Sequence, residues 1–173
     1  MRKVFTEREM TPEEFLTYEE AQEDKKFDFV DGEMVEVSPK FEHGRIQIEI
    51  GTEFTLYLRQ NPIGKSFTEV LHELNGEKMM PDVCIHVDGT VDYFTTAPLV
   101  AVEIRSESQS RPAQRRKALA YLKYGTKMAI AVFPGEGLEV YRPDHEPVAL
   151  TYGDVLEGYD VLPGFSVKVD GLL

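Results

Sequence analysis

The chain has a single cysteine among its 173 residues. One thiol cannot close an internal disulfide, and Cys84 sits inside an apolar run, the setting of a small buried hydrophobe. A disulfide scaffold is excluded, and a reducing, cytoplasmic setting is the expectation. Long apolar runs are missing as well. No stretch approaches the roughly 20 residues that cross a bilayer, and the first residues carry no apolar signal core, so neither a membrane span nor secretion is expected. Positive charge is scarce: 19 Lys and Arg stand against 31 Asp and Glu, a net charge of −12. The surface as a whole therefore repels polyanions, and any nucleic-acid contact needs a local basic patch. Repeats and low-complexity tracts are also lacking. What is present, 42% hydrophobic residues, is enough for one folded domain over residues 1–173.

Thr11-Pro12-Glu13-Glu14 reads as a helix start, with Thr11 as cap and Glu14 closing a capping box, and a short helix to about Asp24. Residues 26–30 and 33–37 alternate and flank Asp31-Gly32, a strong hairpin-turn dipeptide. A second helix is predicted from Glu42 to Gln60, with Ile46, Ile50, Phe54 and Tyr57 as its buried stripe. Ser66–Leu74 reads as one strand, followed by an Asn75-Gly76 turn. Pro81–Val87 and Leu99–Ile104 are further strands, the latter almost unbroken in apolar character. Arg111–Tyr124 is a helix stopped by Gly125. Lys127–Phe133 should pair as a hairpin with Leu138–Tyr141, and the tail offers short strands between glycines. The order predicts an α/β (α+β) domain around one mixed sheet.

Two carboxylates stand out. Asp82 opens one apolar run and Glu103 closes another, and a carboxylate at the margin of an oily strand is costly to desolvate without a cation. If their strands are neighbours, the two acids meet, and Lys117 arrives from the next helix. Mg²⁺ takes oxygen ligands and keeps several waters, so Asp82 and Glu103 suit it, with Lys117 placed to orient water or to neutralise charge on a phosphate. Lys117 lies in an Ala/Tyr stripe with Ala113, Ala120, Tyr121 and Tyr124. Arg111, Arg115, Arg116, Lys123 and Lys127 surround it and form the dense basic cluster of an acidic chain. Plainer readings stand beside these. Asp82 can be a turn residue at a strand start, Glu103 can pair with Arg105 or Arg111, and Lys117 can be a surface lysine. His72, His86 and His145 lack metal-ligand spacing and read as structural or exposed.

These fragments, taken in order, resemble the Uma-two-type restriction-endonuclease family of the PD-(D/E)xK nuclease superfamily. They are Thr11–Leu16, Phe27–Glu36, His43, Pro81-Asp82-Val83, Val102-Glu103-Ile104 with Ser106, Lys117–Tyr121 before Gly125, Val140-Tyr141-Arg142, and Leu162-Pro163-Gly164-Phe165. The resemblance implies a restriction-endonuclease-like mixed sheet flanked by helices, with an N-terminal helix and β-hairpin. It implies DNA as substrate, Mg²⁺ or Mn²⁺ as cofactor, and a homodimer. It assigns Asp82 and Glu103 to the metal and the displaced motif lysine to Lys117. It adds Glu33 after the Asp-Gly turn and His43 before the long helix, with Glu49 or Glu53 as alternative helix acids. His43 is expected to line the substrate pocket, and Arg105, with Arg111 and Arg115 of the basic cluster, to contact phosphate. Arg105 stands where the superfamily carries a strand lysine, and Phe133-Pro134 stands where the family has Asp-Pro. The alternative is a nuclease-derived scaffold that does not cut and acts by dimerisation or partner binding.

Overall fold

A computed structural model describes residues 11, 13, 14, 16, 17, 26–30, 33–37, 41–87, 92–106 and 109–173. At the N-terminal end Thr11 N donates to Glu14 Oε2 (3.1 Å) and Glu14 N to Thr11 Oγ1 (3.2 Å), the reciprocal capping box read from the sequence. The Asp31-Gly32 turn lies outside the described residues. Its flanking strands β1 (Lys26–Val30) and β2 (Glu33–Val37) pair antiparallel, with Val30 opposite Glu33.

Six strands form the central sheet, in the order β10-β9-β8-β7-β6-β3. They are β3 (Lys65–Phe67), β6 (Val83–His86), β7 (Val100–Ile104), β8 (Met128–Phe133), β9 (Gly137–Tyr141) and β10 (Val148–Leu150). The β7–β8 pair is parallel and the rest are antiparallel. A parallel pair needs a crossover, and here it is the second helix, α2 (Arg111–Lys123), after the first, α1 (Phe41–Gln60). Strands β4 (His72–Leu74) and β5 (Glu77–Met79) join β1 and β2 in a second sheet, and β11 (Val155–Glu157) pairs with β12 (Ser166–Lys168).

Period-two alternation sends the two faces of the central sheet to different helices. Val100, Val102 and Ile104 of β7, with Met128, Ile130 and Val132 of β8, pack under Ile46, Ile50, Phe54 and Leu58 of α1. The intervening Ala101, Ala129, Ala131 and Phe133 lie under Ala118 and Tyr121 of α2. Alanine on both sides lets α2 approach the sheet closely. Ser110 caps it by accepting from Ala113 N at 3.3 Å, and Gly125, at φ 114°, follows its end.

The structure corrects the Ser66–Leu74 strand, which is two strands in two sheets. The break is at Glu69, whose φ of 56° is unusual for a side chain of this kind. β5 had no counterpart in the sequence reading. Tyr57 is only partly buried, and the inner stripe of α1 continues through Leu58 instead. Cys84, His72 and His86 are buried and His145 is exposed, as read from the sequence.

Candidate active site

Val83 of β6 faces Val102 of β7. Asp82 precedes β6 and Glu103 follows Val102, so the two acids stand at the same end of this antiparallel pair. Asp82 is tied down from three sides. Its Oδ2 accepts from Ile104 N at 2.6 Å, its Oδ1 lies 3.1 Å from His43 Nε2, and its carbonyl accepts from Gln47 Nε2 at 2.9 Å. His43 and Gln47 are one turn apart on α1 and so share a side of the helix. The same Gln47 nitrogen donates to Glu69 Oε1 at 3.2 Å, which draws the kinked Glu69 into the group.

Glu103 is buried and anchored from α2. Lys117 Nζ donates to its Oε2 and Tyr121 OH to its Oε1, both at 2.8 Å. Lys117 and Tyr121 are four residues apart, one helical turn. The buried stripe of α2 is Gln114, Ala118 and Tyr121, and Lys117 sits half-buried at its edge. Burial alone would lower the pKa of His43. The hydrogen bond to Asp82 and the charges of Asp82, Glu103 and Glu69 outweigh burial and raise it. His43 Nδ1 is buried without a partner among the described residues.

The donor chemistry fits a hard divalent cation. Asp82 and Glu103 present carboxylate oxygens, the hard donors such an ion takes. Mg²⁺ is commonly held by one or two protein carboxylates, waters completing its shell. Among the described residues no three His, Cys, Asp or Glu side chains are grouped to hold an ion. Glu33 is placed in β2 opposite Val30, and its side chain lies outside the described residues. Glu49 and Glu53 make no hydrogen bond or ion pair to Asp82 or Glu103 among the described residues. An open groove of about 650 Å³, lined by Gly44, Gln47, Gly51, Ser66, Glu69 and Val83 among others, runs along α1 and meets the site at Gln47 and Glu69.

The three predicted arginines are brought together, but onto glutamates. Arg105 and Arg111 both reach Glu136, and Arg111 also reaches Glu139 Oε1 at 3.3 Å. Arg115 grips Glu139 through Nε (2.9 Å) and Nη2 (2.6 Å), and Tyr141 OH donates to the same carboxylate at 2.6 Å. Arg115 lowers the pKa of Glu139, while burial and that carboxylate push Tyr141 up to about 12. The sequence reading did not place Gln47, Glu69, Glu136 or Glu139 near any site. Tyr121 it placed beside Lys117 without a role. Spacing was the available signal for Gln47, four residues after His43, and for Tyr121, four after Lys117. Glu69 gave none.

Paired strand-edge carboxylates with a helix lysine, on a mixed sheet between two helices, define a restriction-endonuclease-like fold. A solved structure titled as a "putative nuclease" from Anabaena variabilis shares that fold, with TM-score 0.82 and 21% identity over 94% of this chain and 97% of that one. The chain belongs to the Uma2 family, described as "putative restriction endonuclease", which matches residues 12–170. No curated protein matches it.

Proposed function

We propose that this protein is a metal-dependent endonuclease that hydrolyses phosphodiester bonds of DNA. The reading is supported by the position of Asp82 and of the Glu103–Lys117 pair at the same margin of β6 and β7, with Asp82 Oδ2 accepting from Ile104 N, the residue after Glu103. Asp82 and Glu103 would hold Mg²⁺ or Mn²⁺. Such an ion polarises a phosphate and lowers the pKa of bound water. Lys117 presents an ammonium group to the phosphate and offsets the negative charge that grows on its oxygens. Tyr121 fixes the rotamer of Glu103, and His43 fixes that of Asp82, so the two acids are set before substrate arrives. Glu33 is assigned to the acidic side of the site on the resemblance alone, as are the pairing of two chains and the choice of DNA.

Cleavage of duplex DNA with Mg²⁺ or Mn²⁺ tests the reading. Wild type should cut, and Asp82→Asn, Glu103→Gln and Lys117→Ala should each lose the activity while remaining folded at the assay temperature. Wild type that cuts no DNA with either metal would favour the non-cutting scaffold.

A further inference from the structure

Arg105 leaves β7 two residues beyond Glu103. Its backbone N–H still donates to Val132 O of β8 at 2.9 Å. Its Nη2 donates to Glu136 Oε1 at 2.7 Å. Arg111, in the first turn of α2, donates through Nη2 to Glu136 Oε2 at 2.8 Å. Both guanidinium groups lie over the Phe133 ring, at 5.6 and 4.0 Å from its centroid. Two guanidinium groups that each take one oxygen of the same anion, on an aromatic floor, form an anion fork.

We infer that this fork is a subsite for a backbone phosphate of the substrate, and that Glu136 occupies it until DNA displaces the carboxylate. The ligand's identity rests on the nuclease reading. Exposure separates this contact from a structural one. Glu136 is 46% exposed and its partners Arg105 and Arg111 are 26% and 38% exposed, whereas Glu139 is only 9% exposed. An ion pair so open to water holds weakly and is screened by salt. Glu136 also sits in the Pro134-Gly135-Glu136-Gly137 turn, between glycines at φ 73° and 149°. A Cβ at Gly137 would run into the Leu150 carbonyl, so the strand is pinned just after the glutamate while Glu136 itself stays at the surface. Finally, Arg105 Nε is buried without a partner among the described residues. Glu136 uses only Nη2 of that guanidinium. A phosphate, with a further oxygen, accepts from Nε and Nη2 together, the bidentate mode a guanidinium favours.

The test is binding of a short labelled DNA duplex by fluorescence anisotropy, in EDTA, across a salt series. Glu136→Gln should bind roughly tenfold tighter than wild type at low salt. Its plot of log K against log salt should steepen by about one phosphate contact, near 0.9. Adding Arg105→Ala and Arg111→Ala to Glu136→Gln should abolish the gain and the extra slope. Glu157→Gln, an exposed glutamate elsewhere, controls for generic loss of negative charge. Glu136→Ala is a second variant, and both must melt with wild type. Equal affinity of wild type and Glu136→Gln, an equal gain in Glu157→Gln, or a gain that survives loss of both arginines would each overturn the inference. So would protection of Glu136→Gln by inorganic phosphate with no change in duplex binding. Because no metal is present, failure to cleave sinks the nuclease reading alone, and unchanged binding by Glu136→Gln sinks the fork alone.

Discussion

Glu103 and Glu139 stand in one row of the central sheet, with Ala131 between them on β8. Each receives a cation from α2 and a tyrosine hydroxyl: Lys117 and Tyr121 for Glu103, Arg115 and Tyr141 for Glu139. The sets differ in what else is near. Glu103 stands at the same strand end as a second carboxylate, Asp82, and its cation is a compact ammonium with rotatable donors. Glu139 has a bidentate guanidinium, a second arginine from Arg111, and no acid across the strand. A guanidinium stays charged and keeps its fork geometry. The first set is thus arranged for a cation and a phosphate, and the second fastens α2 to β9 so that Lys117 stays above Glu103.

The comparison breaks most visibly in activity. Glu103→Gln should lower the cleavage rate, at a Mn²⁺ concentration that saturates wild type, by at least about 10²-fold, while Glu139→Gln should leave it within about tenfold. Stability should reverse that ranking. Glu139→Gln strips charge from a group held by two arginines and should cost about 1–3 kcal/mol, towards the lower end because Arg115 is half exposed. Urea melts of the two variants would measure it. Smaller effects should come from the phenols. Tyr121→Phe and Tyr141→Phe each remove one hydrogen bond to a carboxylate, roughly 1–2 kcal/mol of stability, but only Tyr121→Phe should slow cleavage, by several-fold.

The smallest effect expected is in the pH dependence of stability. Folding raises the pKa of His43 above its ordinary 6.5. Its contribution is therefore complete below about pH 6.5 and is lost as pH rises through the higher folded value. Folding lowers the pKa of Glu139 below its ordinary 4.5. Its contribution is complete above about pH 4.5 and is lost as pH falls through the lower folded value. In metal-free melts, His43→Asn should flatten the neutral-to-alkaline limb and Glu139→Gln the acid limb. Swapped limbs would show that the two clusters have been assigned wrongly.

Much of this was legible before any coordinates. Periodicity located both helices and the β6 to β9 strands because their burial is regular: every residue of β7 and β8 is buried. Asp82 and Glu103 were legible because acids at the edge of such strands need an explanation. What escaped depends on contacts far apart in the chain. Glu69 gave no local sign that the chain turns from one sheet to the other there, since alternation through Phe67, Val70 and Leu71 looks continuous. The arginines read as a free basic patch because nothing local shows that Glu136 and Glu139, 24 to 31 residues later, fold back onto them.

Calorimetric titration of Mn²⁺ into the metal-free protein tests the central claim most directly. Wild type and Glu139→Gln should take up the ion alike, and Asp82→Asn and Glu103→Gln should lose that uptake. Flat traces from wild type, or uptake unchanged by removing either acid, would contradict it.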